Sequence, residues 1–269
     1  MSNSILHSII LGNNNTNHIL ILHGLYGCAE TWLNIGKTLS SKYTVHLLDC
    51  RNHGKSFFDN SHKYNDLVRD VFDYINFHNL KKISIIGHSM GGKIAMFFAQ
   101  KYADLLEKIV VVDISPLSYK SLLEEQENVN FHINMISFMK QLDISLFSTY
   151  SEIEKQIPFD DTKIKNLILK NLKKENGKFK WKLNLDAISQ NLPYILDGLN
   201  IDNFIETKIQ TPVLFIKATN SNYITNNAKK SAKYIFSNVK FAEIENSSHW
   251  VHIDQPELLK NEILNFLEL

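Results

Sequence analysis

The sequence predicts an α/β protein, a mostly parallel sheet flanked by helices with a helical cap inserted after the strand that ends in Asp113. Three observations predict it. Short apolar runs alternate with segments of helical spacing up to Asp113 and again from Pro212 onward. Between Ser115-Pro116 and Thr207 that alternation stops, and no convincing strand is found. Finally, the run Ile83-Ser84-Ile85-Ile86 enters Gly87-His88-Ser89-Met90-Gly91-Gly92, a G-x-S-x-G pattern set between a strand and a helix.

Taken in order, Ile5 to Leu11 is the first expected strand, closed by a turn at Gly12-Asn13-Asn14-Asn15. Ile19-Leu20-Ile21-Leu22 is continuously apolar, as in a strand buried on both faces. After His23-Gly24-Leu25-Tyr26-Gly27 a helix is expected from about Ala29 to Ser41. Thr44 to Asp49 reads as a strand, followed by a loop through Arg51-Asn52-His53-Gly54-Lys55-Ser56. Leu67, Val68, Val71, Phe72 and Ile75 recur at helical spacing within 63–79. The serine strand, a helix from Lys93 to Tyr102 and a strand from Lys108 to Asp113 follow. The insertion reads as helical, with turns near Pro158, Gly177 and Pro193. Strands at Pro212–Ile216 and Val239–Ile244, a helix near 226–236 and a last helix after Pro256 complete the chain. The expected organisation is a core of residues 1–114 and 208–269 and a cap, or lid, of residues 115–207.

Composition narrows the classes of partner. The chain has 269 residues, 44% hydrophobic, with a formal net charge of +1. That balance gives no strong pull toward nucleic acid or acidic membranes. Cys28 and Cys50 form no C-x-x-C pair, so neither a disulfide framework nor a zinc site is indicated, and reduced thiols are expected. The N-terminus lacks a basic stretch followed by a long apolar one, and no apolar run approaches the roughly 18 residues of a membrane span. The expectation is a soluble cytoplasmic protein with no stable membrane insertion, no nucleic-acid partner, no cofactor and no metal.

A serine hydroxyl is a poor nucleophile at neutral pH; it needs a base, and the base needs an orienting carboxylate. In a strand–turn–helix elbow the serine sits at the apex, and the flanking positions must be small, as Gly87 and Gly91 are. Gly92 lets the new helix lie close to the sheet. The partners should follow in the order Ser, acid, His. His249 ends the loop after the last strand and is the expected base, with His252 as competitor. The loop after the Val213 strand, Lys217-Ala218-Thr219-Asn220-Ser221-Asn222-Tyr223-Ile224, contains no carboxylate. The preceding strand ends in Asp113, which is therefore the expected acid. Asp49 also ends a strand, but it lies on the other side of the serine strand and is expected to bond to the loop around Asn52 and His53. An oxyanion would be held by the backbone N–H groups of Met90, at the helix start, and of Leu25, in a loop that His23 braces. Tyr26, His88, Trp250 and Phe138 are the expected substrate-lining side chains.

Together Leu22-His23-Gly24-Leu25-Tyr26-Gly27, Asp49-Cys50-Arg51-Asn52-His53-Gly54-Lys55-Ser56, Gly87-His88-Ser89-Met90-Gly91-Gly92-Lys93, Val112-Asp113-Ile114-Ser115-Pro116 and Ser248-His249-Trp250-Val251-His252 resemble the YbfF-type bacterial acyl esterases of the α/β-hydrolase superfamily. The likeness runs over essentially the whole chain. It includes the acid-free Asn220–Ile224 loop and Phe179-Lys180-Trp181-Lys182-Leu183-Asn184 in the insertion. It implies the α/β-hydrolase fold, an acid after the earlier strand, and hydrolysis of esters or of thioesters such as acyl-CoA. Cys50 and the lysine-rich insertion depart from that pattern.

Within the insertion Phe131, Met135, Phe138, Met139 and Leu142 recur at helical spacing, followed by Leu146 and Phe147. They are expected to pack the lid onto the core, and some to line an acyl pocket. Asp143, Glu152, Glu154, Asp160 and Asp161 precede a basic stretch of Lys163, Lys165, Lys170, Lys173, Lys174, Lys178, Lys180 and Lys182. A solvated face is the simple reading; an anion site for a CoA-like phosphate at Lys178 and Lys180 is the alternative. The expected function is a serine hydrolase cleaving esters or thioesters of small acyl groups through an acyl-enzyme. A perhydrolase, carbon–carbon hydrolase or lyase using the same triad, and a ligand sensor on the same fold, remain as alternatives. Dehalogenase and epoxide hydrolase chemistry needs a carboxylate where Ser89 stands.

Overall fold

The computed structural model describes residues 4–12, 15–119 and 126–268. The expected turn at Asn13-Asn14 and residues 1–3 lie outside them. The strands of the main sheet are β1 (Ser8–Leu11), β2 (His18–Leu22), β3 (Thr44–Leu48), β4 (Ile83–His88) and β5 (Leu106–Val112). A second sheet is the hairpin β6 (Leu172–Glu175) and β7 (Lys178–Trp181), and the main sheet resumes with β8 (Val213–Ala218) and β9 (Val239–Ile244). The spatial order is β1-β3-β2-β4-β5-β8-β9, with β1 antiparallel and every other pair parallel. β4 is central, so the segment that leaves it emerges in the middle of the sheet's upper edge.

The core helices are α1 (Leu33–Leu39), α2 (Tyr64–Phe77) and α3 (Met90–Tyr102). The cap carries α4 (Gln126–Gln141), α5 (Tyr150–Glu154), α6 (Thr162–Lys170) and α7 (Leu185–Ile195). The core ends with α8 (Asn226–Ile235), α9 (Val251–Asp254) and α10 (Pro256–Leu267). The strand period of two sorts the apolar runs onto the two sheet faces. Leu20, Leu22, Ile83, Ile85, Ile109 and Val111 face α2, α3, α8 and the cap. Ile19, Ile21, Ile86, Val110 and Val112 face α1 and α10. Each such side chain, fully buried, contributes about 1.5–3 kcal/mol.

Three local expectations are corrected. The helix expected from Ala29 to Ser41 is a 3-10 turn, Ala29–Trp32, followed by α1. Pro193 does not make a turn; it sits inside α7, near enough to the C-terminal end to cost little helix. The insertion contains strands: β6 and β7 pair around Asn176 (φ 51°) and Gly177 (φ 79°). A two-residue Asn-Gly turn is a strong hairpin signal, but the flanking lysines hide the apolar alternation. Only Leu172 and Phe179 are deeply buried there, against Ile144 and Ile153.

Loops at the upper edge are pinned by neutral histidines. The Cys50 N–H donates to His23 Nε2 (3.0 Å), so Nδ1 carries the proton and donates to Gly24 O (2.8 Å). His53 repeats the device, accepting from Tyr26 N–H (3.2 Å) and donating to Arg51 O (2.9 Å). Asp49 accepts from the backbone N–H of Ala29 (2.7 Å) and Lys55 (2.9 Å) and from His7 Nδ1 (3.0 Å). Its bond to Lys55, with the Ser56 hydroxyl donating to Asp49 O (2.6 Å), ties it to the loop around Asn52 and His53, as the sequence suggested.

Both ends of the cap are tied to the helix that follows Ser89. Lys93 of α3 is 1% exposed. Its ammonium donates to Leu117 O (2.7 Å) and to Asp197 O, and lies 4.3 Å from the Tyr119 ring centroid. The two crossing segments also bond directly, Tyr119 N–H to Leu196 O and Leu199 N–H to Pro116 O, each at 2.9 Å. Gly198 permits that approach, since a Cβ there would stand 2.3 Å from the Leu117 carbonyl carbon.

Lys93→Met should strip two buried carbonyls of their charged donor. We expect a loss of about 2–4 kcal/mol in urea unfolding and faster proteolysis within the cap; unchanged stability would remove the strap from this account. A second expectation concerns pH. Burial lowers His62, His132 and His252 to about 3 and His46 to about 4, all below the ordinary value. Between about pH 6.5 and 4 the unfolded chain therefore binds protons that the native chain refuses, and stability rises with pH. Lowering the pH from 7 to 5 should cost about 2 kcal/mol for each histidine that stays neutral. A urea midpoint independent of pH over that range would contradict the burial of neutral rings.

Candidate active site

The site grows from the β4–α3 turn. Ser89 follows the last residue of β4 at φ 52° and ψ −119°, a conformation an L-residue adopts only when its surroundings enforce it. They do: a Cβ at Gly87 would lie 2.2 Å from Gly91 O, and one at Gly91 would lie 2.2 Å from Leu22 O. At Gly92 it would lie 2.6 Å from Ile114 Cγ2, so α3 comes as close to the sheet as the sequence suggested. The Ser89 N–H donates to Val112 O (3.1 Å), fastening the turn to β5.

Asp113 ends β5 beside it, fully buried and also at positive φ (48°). Its Oδ2 accepts from His249 Nδ1 at 2.9 Å, the pairing expected from the sequence. Its Oδ1 accepts from Ala218 N–H at 3.0 Å. With Nδ1 donating to the carboxylate, the other ring nitrogen of His249 is left to act as a base. Tyr223 stacks on the imidazole with centroids 4.0 Å apart. From below, His88, the neighbour of Ser89, donates from Nε2 to His249 O (2.8 Å). The serine strand thus grips the histidine loop directly.

Ser221 is a member of the site that sequence reasoning passed over. Its Oγ donates to Asp113 Oδ2 at 2.5 Å, on the same oxygen that holds His249. The signal was present: a loop in the acid position with no acid but with a hydroxyl. The hydroxyl adds one donor to a buried carboxylate that otherwise has only the ring and one amide among the described contacts.

The loop carrying Leu25 lies against the serine. A Cβ at Gly24 would stand 3.1 Å from Ser89 Cβ and 2.8 Å from His88 Nδ1. Met90 opens α3, so its N–H is one of the first-turn donors that no helical carbonyl accepts. The cap holds this loop too. Asn171 Nδ2 donates to Tyr26 O (2.7 Å), and the Tyr26 hydroxyl donates to His132 O (3.3 Å). Lys163 of α6 bonds Asp254 and Ser248, whose N–H and Oγ both reach Asp254, one residue before His249.

One space adjoins the serine and a second lies beside the serine turn, without Ser89 in its walls. The first, about 20 Å³, is lined by Leu25, Ser89, Met90, His132, Leu196 and Tyr223 among others. The second, about 340 Å³, is lined by Gly24, Leu25, His88, Trp250 and His252 with cap residues Leu167 and Lys170. His88 and Trp250 line this second space. Tyr26 and Phe138 line neither space: Tyr26 is buried under the cap, and Phe138 packs on Phe159 with centroids 5.9 Å apart. Lys178 and Lys180 also stand away from both spaces, on β7. Lys180 and Lys173 flank Glu175, each 2.8 Å away, and pull its carboxyl down to about 2. Among the described residues no group of histidines, cysteines or carboxylates could hold a metal ion.

Known proteins resemble this chain over most of its length. A profile of the alpha/beta hydrolase fold family matches residues 17–134. An sn-1-specific diacylglycerol lipase of Xenopus laevis is 33% identical, over 93% of this chain and 79% of that protein. Esterase YbfF of Escherichia coli is 25% identical over 94% of each chain. The solved structure of a marine microorganism esterase superposes with a TM-score of 0.92 at 34% identity, over 98% of this chain and 99% of that one. By fold, by sequence and by the elbow at Ser89, the chain belongs to the α/β-hydrolase superfamily and resembles its YbfF-type esterases.

Proposed function

We propose that this α/β hydrolase is a serine hydrolase that cleaves carboxylic esters or thioesters of small acyl groups through an acyl-enzyme. Ser89 attacks the carbonyl carbon as His249 takes its proton. The Leu25 and Met90 N–H groups hold the oxyanion, each worth about 3 kcal/mol in the transition state. His249 then gives the proton to the departing oxygen or sulfur as its bond to carbon breaks. A water, deprotonated by His249 in turn, releases the acid and restores Ser89. Asp113 orients the imidazole throughout, and residues 115–207 act as the lid over the reacting atoms.

The observation that carries this reading is the 2.9 Å hydrogen bond from His249 to the fully buried Asp113 at the strand end next to the strained serine turn. A space of about 20 Å³ at Ser89 has room for little more than one small group, which supports a short acyl chain. The esterase and lipase names of the relatives point to the same chemistry. Among the described residues no helix is long and apolar enough to cross a membrane.

Ser89→Ala should lower kcat on a short-chain ester by roughly five orders of magnitude and abolish labelling by a fluorophosphonate. Retained turnover would sink the assignment, and labelling of the native protein without turnover on a broad acyl panel would favour a sensor instead. Ser221→Ala should lower kcat about tenfold with KM little changed, because the hydroxyl supports Asp113 without touching substrate. A change confined to KM would place Ser221 on the substrate instead.

A further inference from the structure

His249 is held from two sides. On the sheet side His88 donates to its carbonyl and Asp113 accepts from its Nδ1. On the other side the preceding residue is fixed by Asp254, at the end of α9. Asp254 Oδ2 accepts from both the Ser248 N–H (2.8 Å) and the Ser248 hydroxyl (2.6 Å). That hydroxyl oxygen also accepts from the Trp250 N–H at 3.4 Å, and Trp250 O accepts from the Asp254 N–H at 2.9 Å. Residues 248–254 thus close on themselves around the base.

The second carboxylate oxygen of Asp254, Oδ1, pairs with the Lys163 ammonium of α6. The same ammonium donates to Ser248 Oγ (3.3 Å). Among the described residues, every hydrogen bond from the insertion to residues 245–255 comes from Lys163. The lysine starts from a fixed point. Its backbone N–H donates to the carboxylate of Asp161, the N-cap of α6, at 2.7 Å, and α6 buries Leu167 and Ile168. A cation in the first turn of a helix opposes the helix dipole, so Lys163 does not serve α6 itself; Asp254 accounts for its place. The pair is partly shielded from water, with side-chain exposures of 32% for Lys163 and 12% for Asp254.

A general base has to meet the serine hydroxyl within hydrogen-bond reach, and a displacement of about 1 Å can cost about a hundredfold in rate. Ser248 shares a peptide unit with His249, so a shift of Ser248 is passed to the imidazole. We propose that Asp254 is a positioning residue for His249 and that Lys163 is its counterpart from the insertion, so that kcat depends on where residues 115–207 sit. Lys163 lines the second space but not the one at Ser89, so a minimal ester reads the placement of the base and not a contact with the lysine. This assignment rests on Ser89 and His249 acting as described above.

The test uses methyl acetate with the full chain and its variants. Lys163→Met should lower kcat about tenfold with KM within about twofold of native. Lys163→Arg, which keeps the charge, should retain at least half of the native kcat. Asp254→Asn should lower kcat by as much as Lys163→Met, and the two together should cost no more than about threefold beyond either alone, because they act as one unit. A second readout needs no turnover. In the Ser89→Ala protein the low-field NMR resonance of the His249 Nδ1 proton, identified by its loss in His249→Gln, should exchange with water at least fivefold faster once Lys163→Met is added. Ser89-dependent turnover with kcat and exchange both unmoved by Lys163→Met overturns the positioning role and leaves the hydrolase reading standing. A change confined to KM overturns it as well, by placing Lys163 on the substrate. Faster exchange in Lys163→Met, with no acetate hydrolysed by the native protein, sinks the hydrolase reading and retains the hold of Lys163 on the His249 loop. Neither turnover nor a change in exchange overturns both.

Discussion

The close approach of α3 to the sheet is the constraint on which the rest depends. Gly87, Gly91 and Gly92 have no Cβ where one would strike backbone or Ile114, so the chain can reverse within one residue of the end of β4. Ser89 is held at positive φ as a consequence, lifted above the sheet edge rather than folded into the helix. The same approach brings the Ser89 N–H to Val112 O and sets Asp113 one step away on β5. It also places Lys93, one turn along α3, where it reaches both cap crossings. Strain of this kind persists only where surrounding contacts over-determine it, and here three strands and both cap crossings do so.

Polar groups around the turn are arranged so that each loop is held by another. His88 fixes the His249 carbonyl, His23 joins the Leu25 loop to Cys50, and His53 joins it to Arg51. From the cap, Asn171 reaches Tyr26 and Lys163 reaches the Ser248–Asp254 pair. The insertion is therefore part of the scaffold: its contacts fall on the loops that carry Leu25 and His249. Neutral imidazoles suit this work because one ring both donates and accepts at fixed angles. Their burial is what links the stability of the upper edge to pH.

The insertion also contributes to the walls around the serine turn: His132 and Leu196 line the small space at Ser89, and Leu167 lines the larger one. Lysines of the β6–β7 hairpin take no part in either wall: Lys173 and Lys180 pair with Glu175, and Lys174 donates to Ser148 O (2.7 Å).

The sequence by itself determined the alternation of strands and helices, the mostly parallel sheet, the elbow at Ser89 and the pairing of Asp113 with His249. Those features are written in local patterns: apolar runs with strand spacing, glycines at fixed offsets, a histidine after the last strand, and a loop without a carboxylate. The tertiary structure alone decided the rest. The β6–β7 hairpin was legible only in Asn176-Gly177, because its burial rests on Leu172 and Phe179 packing on distant Ile144 and Ile153. The sequence showed a hydroxyl at Ser221 in the acid-free loop, but only the packing of that loop on the end of β5 turned it onto Asp113. Tyr26 and Phe138 looked like substrate contacts from their place in the chain. Which way a side chain faces at a cap interface depends on how two elements distant in sequence pack, and that information is carried by neither one alone.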